Sequence, residues 1–171
     1  MASRQLILNP QQIERKLHRL AFQLLEDQME APRLTLAGIT GNGALLARRV
    51  AALLSEHDPG RPHDLVDIHL DKRQPSRHTT EVHALPEHIS GPITIVDDVL
   101  NTGRTMAYAM TPFLERGVGH IKMLVLVNRD HLHFPLAPDY VGMSLATQRD
   151  EHVEVSIDVS TRAIQAFLQK K

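Results

Sequence analysis

The sequence predicts an α/β protein with a mostly parallel sheet flanked by helices on both faces, and two observations carry that prediction. Short apolar runs alternate with segments of helical spacing along the chain, the order that builds strand–helix–strand units. Two of the runs, residues 93–96 and 123–127, are too apolar to have a solvent face, as befits strands covered on both sides.

Each element follows in order. Ile13, Leu17, Leu20, Ala21, Leu24 and Leu25 recur at helical spacing, with Asn9 placed to cap the helix and Pro10 in its first turn. "RLTLAGI" from Arg33 reads as a strand that ends at "TGNG", and "ALLARRVAALL" from Ala44 as a helix. "DLVDIHL" from Asp64 is the next strand. Residues 71–91 carry mixed charge and no clear period, which marks a functional loop or disorder in a compact domain. "ITIV" from Ile93 is a strand, and the helix after it stops near Arg116-Gly117. "HIKMLVLV" from His120 is the most apolar strand and is expected near the sheet centre. "DYVGMSLA" from Asp139 and "HVEVSID" from His152 are shorter strands. "STRAIQAFLQKK" is expected to close the chain as a helix, with Ala163, Ile164, Phe167 and Leu168 on one face.

The 171 residues fit a single domain, 1–171. A hydrophobic content of 42% with 23% charged residues is that of a globular chain and argues against disorder. The absence of cysteine excludes disulfides, thiolate metal sites and a cysteine nucleophile. A formal charge of −1 gives no bulk attraction to nucleic acid or membrane. The first residues lack the apolar core of a signal peptide, so the expectation is a cytoplasmic protein with no membrane partner.

The chemistry concentrates in "ITIVDDVLNTGRT". Asp97 and Asp98 follow the apolar run directly, and two ionised carboxylates suit a vicinal diol or a magnesium ion and its waters. Asn101, Thr102, Gly103, Arg104 and Thr105 then lead into the helix. A glycine there lets backbone approach an anion, and the free N–H groups of a helix start bind phosphate. Acid pair and turn together match a sugar phosphate.

That thirteen-residue stretch resembles the signature of type I phosphoribosyltransferases, which bind 5-phosphoribosyl-1-pyrophosphate. "LVLVNRDHLHFPLAPDYVG" is similar to a segment of the bifunctional pyrimidine-operon attenuator and uracil phosphoribosyltransferase family. The resemblance implies that Asp97 and Asp98 are catalytic and hold the ribose, with Asn101, Thr102, Gly103, Arg104 and Thr105 around the 5′-phosphate. It implies a pyrophosphate loop at Thr40, Gly41, Asn42 and Gly43, and a mobile loop over residues 71–91 in which Lys72, Arg73 and Arg77 are lid candidates. A small hood over residues 129–157 would hold the base through Asn128, Arg129, Tyr140 and Val141, Tyr140 by stacking and Val141 by its backbone. Magnesium would arrive with the substrate, with no resident metal. The implied reaction transfers ribosyl phosphate to a nitrogenous base, uracil first, and releases pyrophosphate. The partners are phosphoribosyl pyrophosphate and a nucleobase or nucleotide, in a homo-oligomer.

Several positions depart from the family pattern. Purine-using relatives carry an acid at the place of Asn101 and a lysine at that of Asn128, which is why a pyrimidine is expected. Gly41-Asn42-Gly43 and Met143 stand where the attenuator family has cations beside the pyrophosphate, and fewer cations there stabilise the leaving group less. Two alternatives therefore stand beside the enzyme: a pyrimidine-responsive RNA-binding attenuator, and a non-catalytic sensor of phosphoribosyl pyrophosphate or nucleotides.

Overall fold

The computed structural model describes residues 4–148, 150–158 and 160–170. The chain runs β1 (Arg4–Leu8), α1 (Pro10–Asp27), β2 (Leu34–Ile39), α2 (Asn42–His57), β3 (His63–His69), β4 (Glu81–His83) and β5 (Ile93–Leu100). It continues through α3 (Arg104–Glu115), β6 (Ile121–Asn128), β7 (Tyr140–Ser144), β8 (Glu151–Ile157) and β9 (Ile164–Lys170).

Six strands form the main sheet in the order β4-β3-β2-β5-β6-β7. All its pairings are parallel except that of β4, which runs antiparallel to β3. Alternation along the strands sends side chains to two cores. Val96, Leu124 and Leu126 join α1 and α2 on one face, while Ile95, Met123 and Val125 join Met106, Ala109 and Phe113 of α3 on the other. The expected arrangement, with the two apolar runs interior and helices on both faces, is what the chain adopts.

Local chemistry explains the helix starts. The Asn9 side chain accepts from the Gln12 backbone at 2.9 Å while the Gln12 side chain accepts from the Asn9 backbone at 2.9 Å, a reciprocal box that begins α1. α1 also shields an open sheet edge. Lys16 and Arg19 donate to the Gly142 carbonyl, and Arg19 to that of Val141, so outward acceptors of β7 are taken.

From β2 the chain crosses to β3 on one side, whereas β5 lies on the other side of β2. The loops leaving β2 and β5 thus diverge at a topological switch point, where open α/β sheets bind ligands.

Three expectations need correction. The closing segment is a strand, not a helix: β9 pairs antiparallel with both β8 and β1, and its last residue, Lys171, lies outside the described residues. Cross-strand pairing on two sides outweighs the weak helical spacing of a short segment. Of the expected hood, residues 129–157, only β8 enters the smaller sheet, β1-β9-β8, which also draws on both ends of the chain, while β7 belongs to the main sheet. Residues 71–91 are also not wholly irregular, because they contain β4.

α2 lies unusually near β2. A Cβ on Gly38 would fall 2.6 Å from the Ala44 Cα and 2.9 Å from the Ala47 Cβ. Gly38→Ala is therefore expected to destabilise the fold by about 1–3 kcal/mol, the cost of overpacking a filled interface. Urea unfolding checks it, and an unchanged midpoint would show that the helix can back away freely.

Candidate functional site

β5 keeps its ladder with β6 through Leu100, so Asp97 and Asp98 belong to the strand's last turn rather than to a loop. Asp97 is buried at 4% exposure. Its Oδ1 accepts from the Lys72 ammonium at 2.8 Å and from the Asp98 backbone N–H at 3.0 Å. The Asp98 Oδ1 accepts from the Val99 backbone at 2.9 Å, and its Oδ2 from the Asn42 amide at 2.8 Å. Lys72 lies 3.9 Å from Asp98 as well. Burial, followed by the charge of Asp98, raises the Asp97 pKa to about 7 against the opposing pull of Lys72. Near neutrality the pair therefore holds a proton on Asp97 part of the time.

The turn after β5 is shaped by Gly103, which caps α3 in the left-handed region at φ 81°. Thr102 Oγ1 accepts from the Arg104 N–H at 3.3 Å, and the Thr102 carbonyl accepts from the His133 N–H at 2.9 Å. Lys72, Asp97, Asn101, Thr102, Gly103, Arg104 and Thr105 line one cavity of about 190 Å³. The lid cations divide. Lys72 reaches the acid pair, whereas Arg73 and Arg77 stay exposed. The segment that carries Lys72 also touches the turn, since Arg104 donates to Ser76 Oγ at 3.4 Å.

The loop between β2 and α2 meets the acid pair from the other side. Thr40 Oγ1 donates to the Ile68 carbonyl at 2.7 Å, which fixes the loop to β3. Gly41 has φ 88°, and a Cβ on Gly43 would lie 2.7 Å from the Val96 carbonyl and 3.0 Å from Asp97 Oδ1. Only glycine lets the first turn of α2 approach so near to the acid-bearing strand.

The expected base contacts are partly overturned. Tyr140 is buried beneath α1, donating to Asp27 Oδ2 at 2.6 Å and accepting from Gln28 Nε2 at 3.1 Å. Burial foremost, then the Asp27 bond, raises its phenol pKa. The Val141 carbonyl is taken by Arg19. Neither residue is placed to hold a base. Asn128 is also turned inward, donating to Asp130 Oδ1 at 2.7 Å. Arg129 does reach a cavity, although its guanidinium is tied to Thr147 Oγ1 at 3.0 Å and to the Glu151 carbonyl.

That cavity, of about 660 Å³, is lined by Asn101, Thr102, Arg129, His131, His133, Asp150, Glu151 and His152. Asn101 and Thr102 also line the smaller cavity at the turn, so the two adjoin. His131, His133 and His152 were not among the expected site residues. The one visible signal for the first two was their spacing on either side of Leu132, just after the strand of Asn128. His152 has a buried Nδ1 that finds no partner among the described groups.

The structure thus places an acid pair at the end of a central parallel strand, with a glycine-capped helix start beside it. A family model described as the phosphoribosyl transferase domain matches residues 3–160. The bifunctional protein PyrR of Geobacter sp. (strain M21) is 33% identical over 177 residues, spanning 99% of this chain and 100% of that one. The protein of the same name from Limosilactobacillus reuteri is 32% identical over 162 residues, covering 89% and 90%. Among solved structures, the hypoxanthine phosphoribosyltransferase of Trypanosoma cruzi superposes with a TM-score of 0.72 at 14% identity, covering 98% of this chain and 96% of that one. The chain belongs to the type I phosphoribosyltransferase family.

Two outcomes follow. The raised Asp97 pKa means that the folded state favours the protonated acid. Its stability contribution is thus complete below about pH 4 and is lost as pH rises toward 7. Asp97→Asn is expected to raise the thermal midpoint above pH 7, by an amount equivalent to about 1–3 kcal/mol, with the gain vanishing near pH 4. Melting curves across that range check it, and a gain independent of pH would contradict it. Tyr140→Phe is expected to cost about 1–2 kcal/mol of stability by leaving Asp27 and Gln28 short of a partner, with nucleotide affinity unchanged. A selective loss of nucleotide affinity would return Tyr140 to the site.

Proposed function

We propose that this chain is a phosphoribosyltransferase that takes 5-phosphoribosyl-1-pyrophosphate and a pyrimidine base, uracil first, and forms the nucleotide with release of pyrophosphate. The observation that carries the reading is the continuity of three features. Asp97 and the turn from Asn101 to Thr105 line one cavity, and that cavity shares Asn101 and Thr102 with the larger one, so places for ribose, 5′-phosphate and base adjoin.

In this reading the 5′-phosphate accepts from backbone N–H groups at the start of α3 and from the hydroxyls of Thr102 and Thr105. The ribose hydroxyls donate to Asp97 and Asp98. The base lies among Asn101, Arg129, His131, His133 and His152, not against Tyr140. The bond from ribose C1 to the pyrophosphate oxygen breaks with its electron pair on the leaving group, and the base nitrogen bonds to C1. The proton of that nitrogen is taken up by the released pyrophosphate. Positive charge grows on the ribose ring at the transition state, and the nearby carboxylates stabilise it.

The donor set also fits magnesium. Asp97 lines the cavity at the turn and Asp98 follows it on the strand, and their hard carboxylate oxygens would hold the ion or its waters once Lys72 moves aside. Bound there, the ion supplies charge neutralisation for the pyrophosphate. Lys72, released from the pair, would add a cation on the same side.

One observation supports a second reading. Asn42 occupies the presumed pyrophosphate loop with its amide already engaged by Asp98, and neither flanking glycine can add a charge. A protein that binds the phosphoribosyl group without turnover needs nothing more than this site. Pyrophosphate release separates the two. With magnesium and phosphoribosyl pyrophosphate, uracil is expected to release pyrophosphate faster than hypoxanthine or guanine does. Changing Asp97 and Asp98 together to asparagine is expected to lower turnover by at least about 100-fold while weakening 5′-phosphate binding far less. Tight binding with no release for any base would establish the sensor, and preference for a purine would overturn the pyrimidine assignment.

A further inference from the structure

Asn42 is the first residue of α2, and its amide nitrogen faces two acceptors from different parts of the fold. It lies 2.8 Å from Asp98 Oδ2 and 2.8 Å from the Val155 carbonyl. Because both neighbours can only accept, the nitrogen rather than the oxygen must point at them, and its two hydrogens serve one each. Val155 sits within β8, pairs with Ala166 of β9, and through it is joined to Leu8 of β1. Asn42 is thus the point at which the three-stranded sheet is fastened to the acid pair.

β8 has a second fastening. The Arg129 guanidinium donates to the Glu151 carbonyl at the start of the same strand. Between the two anchors lies His152, and Glu151 and His152 form part of the wall of the 660 Å³ cavity. The distance between β8 and the turn after β5 is therefore set from both ends. One end is held by a residue of the cavity and the other by Asn42, which does not line it.

We propose that Asn42 is a positioning residue that registers β8 on Asp98, so that base selectivity depends on a side chain touching neither the base nor its phosphate. The consequence is a coupling between sugar and base. Ribose hydroxyls that draw Asp98 toward them pull on the same amide that holds the cavity wall. The proposal rests on the phosphoribosyl reading of the site, and its test separates the two.

The test compares the wild-type chain with Asn42→Ala, which removes the amide, and Asn42→Asp, which keeps its shape but sets acceptors against acceptors. Amide hydrogen exchange of the ligand-free proteins is expected to quicken roughly tenfold or more over residues 151–157, most in Asn42→Asp, with β5 and β6 unchanged. Affinities for uridine 5′-monophosphate and ribose 5-phosphate are measured alongside. Their ratio, which isolates the base, is expected to fall by about 5–10-fold, the worth of the one neutral hydrogen bond lost to the Val155 carbonyl. Affinity for inorganic phosphate is the third measurement, reporting anion binding without ribose or base. Unchanged exchange over β8 in both variants would overturn the fastening, and an unchanged ratio would overturn its role in selectivity. If the wild-type chain binds none of the three probes, the phosphoribosyl reading fails, and the exchange arm still decides the fastening. Should Asn42→Asp not fold, Asn42→Ala carries both measurements.

Discussion

Two carboxylates on adjacent residues cannot both be taken out of water and left charged without donors close by. The organisation of this site follows from meeting that demand at the end of β5. Lys72 comes from beyond β3, Asn42 from the start of α2, and backbone N–H groups from β5 itself. Even so, the demand is only partly met. Asp97 keeps a pKa near 7, so the pair remains short of charge compensation in the ligand-free protein. A cation or a set of hydroxyl donors would complete it.

The same constraint explains the close packing around the pair. Asn42 can reach Asp98 only if α2 begins hard against β5, and that is where Gly43 removes the Cβ that would strike the Val96 carbonyl. Gly38 does the same one turn further along the α2–β2 contact. Small residues at these positions convert a sheet–helix interface into a support for charge. The interior pays for this in lost apolar contact, and the long runs of β5 and β6 offset it with strands covered on both faces.

Much of this was legible in the sequence because it is local. The capped start of α1, the apolar runs of β5 and β6, and the acid pair leading into a glycine turn all depend on neighbours within a few residues. The failures share the opposite property. β9 has helical spacing over a few residues, and only its partners β8 and β1, the latter from the far end of the chain, make it a strand. The resemblance casts Tyr140 as a base-stacking aromatic, and an aromatic face does pair well with a planar base. Its actual surroundings, Asp27 and Gln28, lie more than a hundred positions earlier in the chain. No local pattern announces such a contact. His152 was hidden for the same reason, since its place in a cavity wall depends on where β8 is laid rather than on its own neighbours.

The departure at Asn42 acquires a physical meaning once these contacts are seen. A cation in the loop after β2 would be drawn to Asp98 as strongly as to a pyrophosphate, and would compete with Lys72 for the pair. An amide is neutral and satisfies Asp98 without neutralising it. Lys72 is then left as the cation on the acid pair, on a segment that also contacts the phosphate turn through Ser76 and Arg104. In the proposed reaction, charge stabilisation of a leaving pyrophosphate would come from a side chain that must first give up Asp97, freed as ribose hydroxyls or magnesium take its place. Sugar binding and leaving-group stabilisation would then be sequential demands on one lysine.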